Sequence, residues 1–357
     1  MGADDRSSVN IMIHNAWYAA GLSVDFEVEK LEKRTICEKA MVLWRSAEGE
    51  VVAHDDRCCH KRMPVSAGRF LEGGILECPY HGLCFDATGA CVSIPSAPDA
   101  PIPKRARLLP FTVREKDGVV WVWPGDPDAI GDIEPIDTPE IASPDWDTIH
   151  GDLFVKGNSV LMIENVLDLT HFYPLHGNSI GQYADTQIDF EVETGEIGGS
   201  GFVRTSRDVD SYPQSEGFQD LLIHEVADSS SSQTVIGPGV LIAKRTNWPA
   251  GGRAKNEDPK ELVNYHLFAP HDRASHKYTY VVNMPKNQMC GSDPKKRGVD
   301  RAKEFFPSVF EEDVWAIEMQ QKMCEVPNGD YAEVNLATDL ALVRGRKMLF
   351  DLYDKEA

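Results

Sequence analysis

Positive charge is scarce in this sequence of 357 residues. Lysine and arginine together number 36 against 57 aspartate and glutamate residues, which gives a formal net charge of −21. The basic residues form no extended run. Nucleic acids and anionic membrane surfaces attract proteins through clustered Lys and Arg side chains. The sequence therefore predicts a protein that binds neither nucleic acid nor membrane.

Long apolar stretches, closely spaced cysteines and internal repeats are lacking as well. No segment approaches the roughly 20 apolar residues of a membrane-spanning helix, and the polar start predicts no secretory leader. The eight cysteines are too few for a disulfide scaffold in a chain of this length. The absence of repeats excludes solenoids and coiled coils, and the other two absences predict a cytoplasmic protein with reduced thiols.

What is present is the composition of a folded globular protein, with 42% hydrophobic and 26% charged residues. The length fits two domains. Short β-rich runs fill the first 125 residues and predict a small antiparallel β domain, with a hairpin formed by residues 41–44 and 51–53. A proline-rich acidic stretch at 124–144 then marks the boundary between two predicted domains, 1–125 and 126–357.

The second domain is predicted to be α+β. A helical pattern covers residues 159–171, β-like runs lie between about 186 and 285, and a further helical stretch runs from about 301 to 353. Separate runs of strands and helices are typical of an α+β domain.

Two short Cys and His pairs stand out in the first domain. Cys58 and His60 form a C-x-H pair, and Cys78 and His81 form a C-x-x-H pair, both in loop-like sequence. Two thiolates and two imidazoles can hold one zinc ion, or a [2Fe–2S] cluster in which the cysteines bind one iron and the histidines the other. In a zinc site all four residues bind one ion. In a cluster each loop must provide one ligand to each of the two irons.

A second set of candidate ligands lies in the helical segment of the second domain. Asn165, Asp168 and His171 are spaced three apart, so they can share one side of a helix. On an unbroken helix His176 would point about 140° away from His171 at roughly 100° per residue. We therefore predict that the helix breaks at Pro174 and that the chain turns to bring His176 beside His171.

Asp313 is the candidate for a third ligand. It lies four residues from Val309 and four from Ile317, which places its carboxylate within an apolar stripe of a helix. An unpaired charge there is costly, and a metal would neutralise it. Two histidines and one carboxylate are the iron ligands of non-haem Fe(II) oxygenases. Glu312 is the alternative carboxylate.

Together these motifs resemble the Rieske non-haem iron oxygenases, and among them the vanillate and dicamba O-demethylase oxygenase group. The resemblance is carried by NAWYAAG at 15–21, CCH at 58–60, CPYHG at 78–82, ENVLDLTHFYPLHGNSIGQ at 164–182 and the helix of Asp313. It implies a Rieske antiparallel β domain followed by a helix-grip-like catalytic domain, an antiparallel sheet with helices. Its implied ligands are Cys58 and Cys78 for the inner cluster iron, His60 and His81 for the outer one, and His171, His176 and Asp313 for mononuclear Fe(II).

The resemblance also implies a homotrimer and a reaction. Asp168 would bridge the two metal centres, its carboxylate bonding the partner subunit's His81 and its own subunit's His171, with Asn165 beside it. The enzyme would use O₂ and reductase-supplied electrons to demethylate, at O or N, or to hydroxylate, a substituted aromatic compound. No G-x-G-x-x-G stands between a strand and a helix, so NAD(P)H is expected on a separate reductase or ferredoxin system.

Other readings of the sequence remain open. A Rieske electron-transfer protein without catalysis, a ring-hydroxylating oxygenase and a zinc-stabilised binding protein would use the same Cys and His residues. The substrate pocket is the least defined part. Candidate aromatic residues for its wall, which core packing explains equally well, are Phe172, Tyr173, Trp248, Tyr278 and Tyr280. Candidate cations for a carboxylate clamp, for which solvated positions are the default expectation, are Arg204, Arg207, Lys244 and Arg245.

Overall fold

The protein divides into two compact units in this computed structural model, which describes residues 10–181, 190–222, 225–291, 293, 295–326 and 333–356. The smaller unit runs from His14 to Gly131, and the larger combines the described residues before His14 with those from Asp132 onward. The first described residues join the larger unit because the buried Asn158 side chain donates a 2.9 Å hydrogen bond to the Ile11 carbonyl. The sequence-based division at residues 125 and 126 does not include this segment in the second domain.

The smaller unit is built from ten strands in two antiparallel sheets. The six-stranded sheet has the order β1-β10-β9-β4-β3-β2, and the four-stranded sheet the order β5-β6-β7-β8. The strands are β1 Tyr18–Leu22, β2 Glu32–Ile36, β3 Lys39–Arg45, β4 Val51–Asp55, β5 Arg69–Leu71, β6 Ile75–Glu77, β7 Cys84–Phe85, β8 Cys91–Ser93, β9 Pro110–Lys116 and β10 Val119–Trp123. Short 3-10 helices lie at Ser23–Asp25, Val65–Ala67 and Pro127–Ala129. The predicted hairpin is confirmed, because β3 pairs with β4.

The larger unit is built on one seven-stranded antiparallel sheet, in the order β11-β17-β16-β15-β14-β13-β12. Its strands are β11 Trp146–Val155, β12 Glu191–Ile197, β13 Ser200–Pro213, β14 Val226–Ile236, β15 Val240–Pro249, β16 Lys260–Asp272 and β17 Ser275–Pro285. Its helices are α1 Pro139–Ala142, α2 Ser159–Leu167, α3 Phe172–His176, α4 Glu216–Leu222, α5 Gly298–Cys324 and α6 Leu340–Asp354, with 3-10 helices at Leu169–His171 and Arg253–Lys255. The predicted α+β class is confirmed, although residues 186–189 of the predicted β region lie outside the described residues.

None of the helices in the described part of the chain has both the length and the apolar character needed to cross a membrane.

The predicted helix at 159–171 ends earlier than expected, and for a different reason. It stops at Leu167 because Asp168 is extended, with φ −93° and ψ 105°, and its carboxylate accepts a 2.8 Å hydrogen bond from the Thr170 N–H. A side-chain cap therefore breaks the helix, not Pro174. The proline lies within α3, in its first turn, where the missing N–H costs no hydrogen bond.

An ion pair between Glu164 of α2 and Arg346 of α6 connects these two helices. Arg346 Nε and Nη2 donate to the two Glu164 carboxylate oxygens at 2.6 and 2.7 Å. Only 12% of the Glu164 side chain and 25% of the Arg346 side chain are exposed. Removing one member of such a pair leaves the other charge without compensation.

We expect Arg346→Met to lower the free energy of unfolding by about 2–4 kcal/mol, because Glu164 stays buried and unpaired. Urea titration followed by circular dichroism measures the change. Arg344→Met is the matched control, because Arg344 bonds only the Val192 carbonyl among the hydrogen bonds described and is exposed. Equal losses in the two variants would show that the Glu164 pair adds no stability.

Candidate metal centres

Residues 58–63 and 78–83 form two loops with the same hydrogen-bond pattern. In the first loop, the Cys58 N–H donates to the Met63 carbonyl at 2.9 Å and the Arg62 N–H donates back to the Cys58 carbonyl at 2.9 Å. The second loop repeats the pattern at 2.8 and 3.1 Å between Cys78, Leu83 and Gly82. The fifth residue of each loop is left-handed, with φ 59° at Arg62 and 72° at Gly82. The two loops therefore share one backbone conformation and begin with Cys58 and Cys78, whereas His60 is the third residue of its loop and His81 the fourth.

The four donors of these loops separate into an inner and an outer pair. The Cys58 and Cys78 side chains are buried, whereas His60 and His81 are exposed, with ring centroids 4.5 Å apart. Burial raises the pKa of the Cys58 thiol to about 12, and the adjacent Cys78 adds to the shift. A bound metal would reverse this and hold the sulfur as thiolate. Two sulfur donors inside and two imidazoles outside suit a cluster of two irons.

The second centre brings together His171, His176 and Asp313. Their donor atoms lie within 4.8 Å of one another, and Asp313 Oδ1 is 3.6 Å from His171 Nε2 and 3.0 Å from His176 Nε2. Asp313 and His176 are buried. The 3-10 helix Leu169–His171 and the end of α3 supply the histidines, and the middle of α5 supplies the carboxylate. This is a set of two imidazoles and one carboxylate that fits mononuclear iron with open coordination positions.

Each of the three donors is held by a neighbour. The Asn165 amide donates to Asp313 Oδ1 at 2.7 Å. The second ring nitrogen, Nδ1, of His171 bonds the Asp168 carbonyl, and that of His176 bonds Glu312 Oε2 at 2.5 Å. Because both Nδ1 atoms are engaged, the Nε2 atoms are the ones that face Asp313. Such outer partners fix the orientation and tautomer of a metal-binding imidazole.

The pKa values of the two histidines at this centre shift in opposite directions. Burial lowers the pKa of His171 despite the nearby Asp313. Burial acts in the same direction on His176, but hydrogen bonds and charge from Asp313 and Glu312 outweigh it and raise the pKa of His176. A divalent cation between the donors would neutralise this charge.

Two sequence-based assignments need correction here. Glu312, the alternative ligand, points to the far side of the His176 ring, because it lies about 100° round the helix from Asp313. The Asp168 carboxylate caps Thr170, and it is the Asp168 main-chain carbonyl that bonds the His171 Nδ1 atom.

We expect Glu312→Ala to weaken Fe(II) binding about 10- to 100-fold, since loss of an outer carboxylate partner frees the His176 ring. Anaerobic Fe(II) titration of the metal-depleted centre measures the dissociation constant. Glu311→Ala is the control, because Glu311 is exposed one position earlier on α5. Unchanged affinity in Glu312→Ala would show that Glu312 does not help to hold the His176 ring for the metal.

A cavity of about 730 Å³, partly open to solvent, lies against the second centre. Its wall includes the three metal donors and four phenylalanines, Phe172, Phe218, Phe306 and Phe310. Polar wall residues are Asn165, Ser231, Gln233, Lys244, Arg245, Asn264 and His266. Most of these were not predicted from the sequence. The sequence pattern that could have identified them is the alternation of polar residues along otherwise apolar strands, such as Asn264 and His266 of β16.

Of the five aromatic residues predicted for the substrate wall, only Phe172 is among the described residues that line this cavity. Tyr278 and Tyr280 are buried one layer behind it. The Tyr278 hydroxyl bonds His266 Nδ1 at 2.7 Å, and the Tyr280 ring lies 4.6 Å from that of Phe310. Tyr173 is 54% exposed on α3. Trp248 lies near the end of β15, opposite Asp228 of β14 in the sheet.

The four predicted cations have different surroundings. Arg204 pairs with Glu193 at 3.0 Å and lines neither this cavity nor the one beside it. Lys244 Nζ is 3.6 Å from Glu140. Arg207 and Arg245 line the adjoining cavity of about 610 Å³, and Arg245 lines both. Arg245 is half-buried.

Comparisons with known proteins agree with both centres. The family description of the Rieske [2Fe-2S] domain matches residues 16–107, and that of the vanillate O-demethylase oxygenase C-terminal domain matches residues 155–355. The chain is 29% identical to a putative toluene-4-sulfonate monooxygenase system iron-sulfur subunit of Comamonas testosteroni, over 97% of this chain and 98% of the relative. It is 36% identical to the dicamba O-demethylase oxygenase component of Stenotrophomonas maltophilia, over 52% of this chain and 53% of that relative. A crystal structure of dicamba monooxygenase bound to 3,6-dichlorosalicylic acid superposes with a TM-score of 0.83 at 26% identity, covering 96% of this chain and 98% of that one.

Proposed function

The chain belongs to the Rieske oxygenases with a vanillate O-demethylase oxygenase C-terminal domain, and from this membership we propose that it is the terminal oxygenase component of a multicomponent system. It uses O₂ and reductase-supplied electrons to demethylate, at O or N, or to hydroxylate a substituted aromatic compound. The observation that carries the proposal is the His171, His176 and Asp313 donor set on the wall of a phenylalanine-lined cavity.

Its cofactors are a Rieske [2Fe–2S] cluster and mononuclear iron. When bound, they supply electrons and the activation of O₂. We assign Cys58 and Cys78 to the inner cluster iron, His60 and His81 to the outer one, and His171, His176 and Asp313 to the mononuclear iron. The thiols are buried and the imidazoles exposed, which supports this division. Functionally we place the cluster in residues 1–125 and the chemistry in residues 126–357.

We further propose that Asp168 links the two kinds of centre in a homotrimer. Among the described hydrogen bonds its carboxylate accepts only the one from Thr170, so its other oxygen can accept a bond from the partner subunit's His81. Its main-chain carbonyl already contacts His171. This residue therefore couples a cluster ligand of one subunit to an iron ligand of the next, and Asn165 keeps Asp313 in place on the other side.

Substrate and electron supply complete the proposal. The relatives are named for dicamba and toluene-4-sulfonate, and a cavity lined by four phenylalanines suits a compound with an aromatic ring. A separate NAD(P)H-dependent reductase or ferredoxin delivers the electrons. None of the eight cysteines forms a disulfide, which suits the reducing cytoplasm.

The test is metal analysis followed by turnover. Anaerobically purified protein should contain about three irons and about two sulfides per chain and show a Rieske-type EPR signal after dithionite reduction. With a surrogate reductase, NADH and methoxy- or methyl-substituted aromatic compounds, it should release formaldehyde or a hydroxylated product. About two irons without product after Fe(II) reconstitution would favour an electron-transfer protein, and zinc without sulfide would contradict both.

A further inference from the structure

Tyr278 and Tyr280 of β17 are buried side chains that the proposed oxygenation does not use. Neither is among the described residues that line the cavity at the metal donors, whereas their neighbours His266 and Phe310 are. The exposed fraction is 1% for Tyr278 and 7% for Tyr280. Phenols are among the side chains that lose an electron most easily. Two oxidisable groups therefore lie one layer behind the centre that activates O₂.

Tyr278 and His266 form a hydrogen bond whose direction can be assigned. The Tyr278 hydroxyl oxygen lies 2.7 Å from His266 Nδ1, and the two rings are nearly parallel, at 10°. This is the one side-chain hydrogen bond of Tyr278 among those described. A hydroxyl that accepted from Nδ1–H would leave its own buried proton unbonded, which is costly. The Tyr278 O–H therefore donates to Nδ1, and His266 carries its ring proton on Nε2.

The charge of Asp313 acts on both members of this pair. Burial lowers the pKa of His266 to about 4, and the Asp313 charge opposes that shift. Burial raises the pKa of Tyr278 well above its usual value, and the same carboxylate adds to the shift. The pair is thus neutral and close to the metal donors. An oxidised phenol is a far stronger acid than an imidazolium, so a histidine at hydrogen-bond distance can take its proton.

Tyr280 continues the path from Tyr278 towards the edge of the sheet. The ring centroids of the two tyrosines are 6.2 Å apart, and the Phe310 ring lies 5.8 Å from that of Tyr278 and 4.6 Å from that of Tyr280. Tyr280 is opposite Gly151 of β11, the edge strand. A Cβ atom at Gly151 would lie 2.2 Å from the Tyr280 hydroxyl oxygen. The glycine therefore leaves room for this hydroxyl at the edge strand.

We propose that Tyr278, His266 and Tyr280 form a tyrosine relay that reduces the O₂-derived oxidant when no substrate occupies the cavity. The inference rests on the proposed function, because that oxidant arises at the mononuclear iron. With hydrogen peroxide as the oxidant, its O–O bond breaks and two water molecules form, which takes two electrons and two protons. One electron comes from iron(II) and one from Tyr278. The Tyr278 proton moves to His266 Nδ1, and the protons that enter water come from His266 Nε2–H and solvent.

The relay then returns to its starting state. Tyr280 gives an electron to the Tyr278 radical and releases its own phenolic proton to solvent. Tyr278 recovers its proton from His266 Nδ1, and His266 takes a proton from solvent on Nε2. A soluble thiol finally gives Tyr280 one electron and one proton, and the thiyl radicals pair as disulfides. The residues that line the cavity are thereby spared a side reaction with the oxidant.

Freeze-quench EPR spectroscopy tests the proposal without measuring turnover. The holoenzyme is prepared with its cluster oxidised and its mononuclear iron ferrous, so that the cluster supplies no electron. Mixed with hydrogen peroxide in the absence of substrate, it should show a tyrosyl radical. The signal should narrow in protein that contains ring-deuterated tyrosine, and it should be missing from protein without the mononuclear iron.

Three variants locate the radical. Tyr278→Phe keeps the ring and removes the hydroxyl, so no tyrosyl radical should form. Tyr280→Phe should leave the radical on Tyr278 and slow its decay by added thiol. Tyr265→Phe is the matched control, since Tyr265 of β16 is equally buried but its hydroxyl bonds Glu140, and its signal should equal that of the wild type. If Tyr278→Phe does not bind iron, His266→Gln decides. Glutamine can accept the hydrogen bond but takes up no proton, so the radical should be lost.

Two results would overturn the relay: no tyrosyl radical in the iron-loaded wild type, or an unchanged radical in Tyr278→Phe. Failure of the proposed function would give a different result. Oxygenated product without any radical would contradict the relay and leave the oxygenase intact. A radical that is lost in Tyr278→Phe, in a protein that oxygenates no aromatic compound, would support the relay and contradict the oxygenase.

Discussion

His176→Ala is expected to remove the mononuclear iron and leave the cluster in place. Iron should fall from about three to about two per chain with sulfide unchanged at about two. Product formation should fall more than about 100-fold, because losing even an outer partner of a metal ligand costs up to that factor. The His176 Nε2 atom is 3.0 Å from Asp313 Oδ1, so its loss leaves only two donors to hold the metal.

Asp313→Ala should give the same pattern, since it removes the carboxylate that both histidines face. The control is His271→Ala, because this histidine is 41% exposed at the end of β16 and belongs to neither centre. Metal analysis, the EPR spectrum of the reduced cluster and product yield are measured together. Full iron content with full activity in His176→Ala would remove this histidine from the ligand set.

Asp168→Asn is expected to disconnect the two centres without emptying them. The asparagine amide oxygen can still accept the Thr170 hydrogen bond, so the cap after α2 survives while the negative charge is lost. Iron and sulfide contents should stay at wild-type values. The rate at which the reduced cluster is reoxidised during turnover should fall by about 10- to 100-fold, as expected for the loss of a carboxylate that orients metal-bound imidazoles.

Comparing Asp168→Ala with Asp168→Asn distinguishes the effect of losing the charge from the effect of losing the helix cap. It removes both, so it should show the same slow reoxidation and an additional loss of about 1 kcal/mol in the free energy of unfolding. Stopped-flow absorbance of the cluster and urea titration give the two values. Loss of both metals in Asp168→Asn would show that the carboxylate holds the structure together, and wild-type reoxidation would exclude the bridge.

The parts of the site that depend on neighbouring residues could be predicted from the sequence. The cluster loops are local, so the spacing from Cys58 to His60 and from Cys78 to His81 sufficed to propose a metal site, either zinc or a [2Fe–2S] cluster, and the family resemblance chose between the two. Asp313 was identified because a charge in an apolar helical stripe needs a partner. The structure brings it within reach of His171 and His176, as the helical pattern predicts.

The parts that depend on distant strands could not be predicted. Arg204 and Arg245 look alike in the sequence, and only the pairing of β13, β14 and β15 places one at the surface and the other beside the metal donors. The end of α2 shows a different difficulty. A cap at Asp168 and a proline at 174 both predict a break in the helix. The helix ends at the Asp168 cap, which comes before the proline in the chain.

The bond between Asn158 and Ile11 has a consequence for biosynthesis. The first described residues leave the ribosome early, but their partners are made much later, since Asn158 also bonds the Arg273 carbonyl and Gln321 bonds Asn10. The segment before His14 therefore cannot form these hydrogen bonds until after the smaller unit has been synthesised, although domains tend to fold in the order of synthesis. A fragment that starts at Asp132 lacks this segment, so the buried Asn158 amide in it has only one of its two hydrogen-bond acceptors.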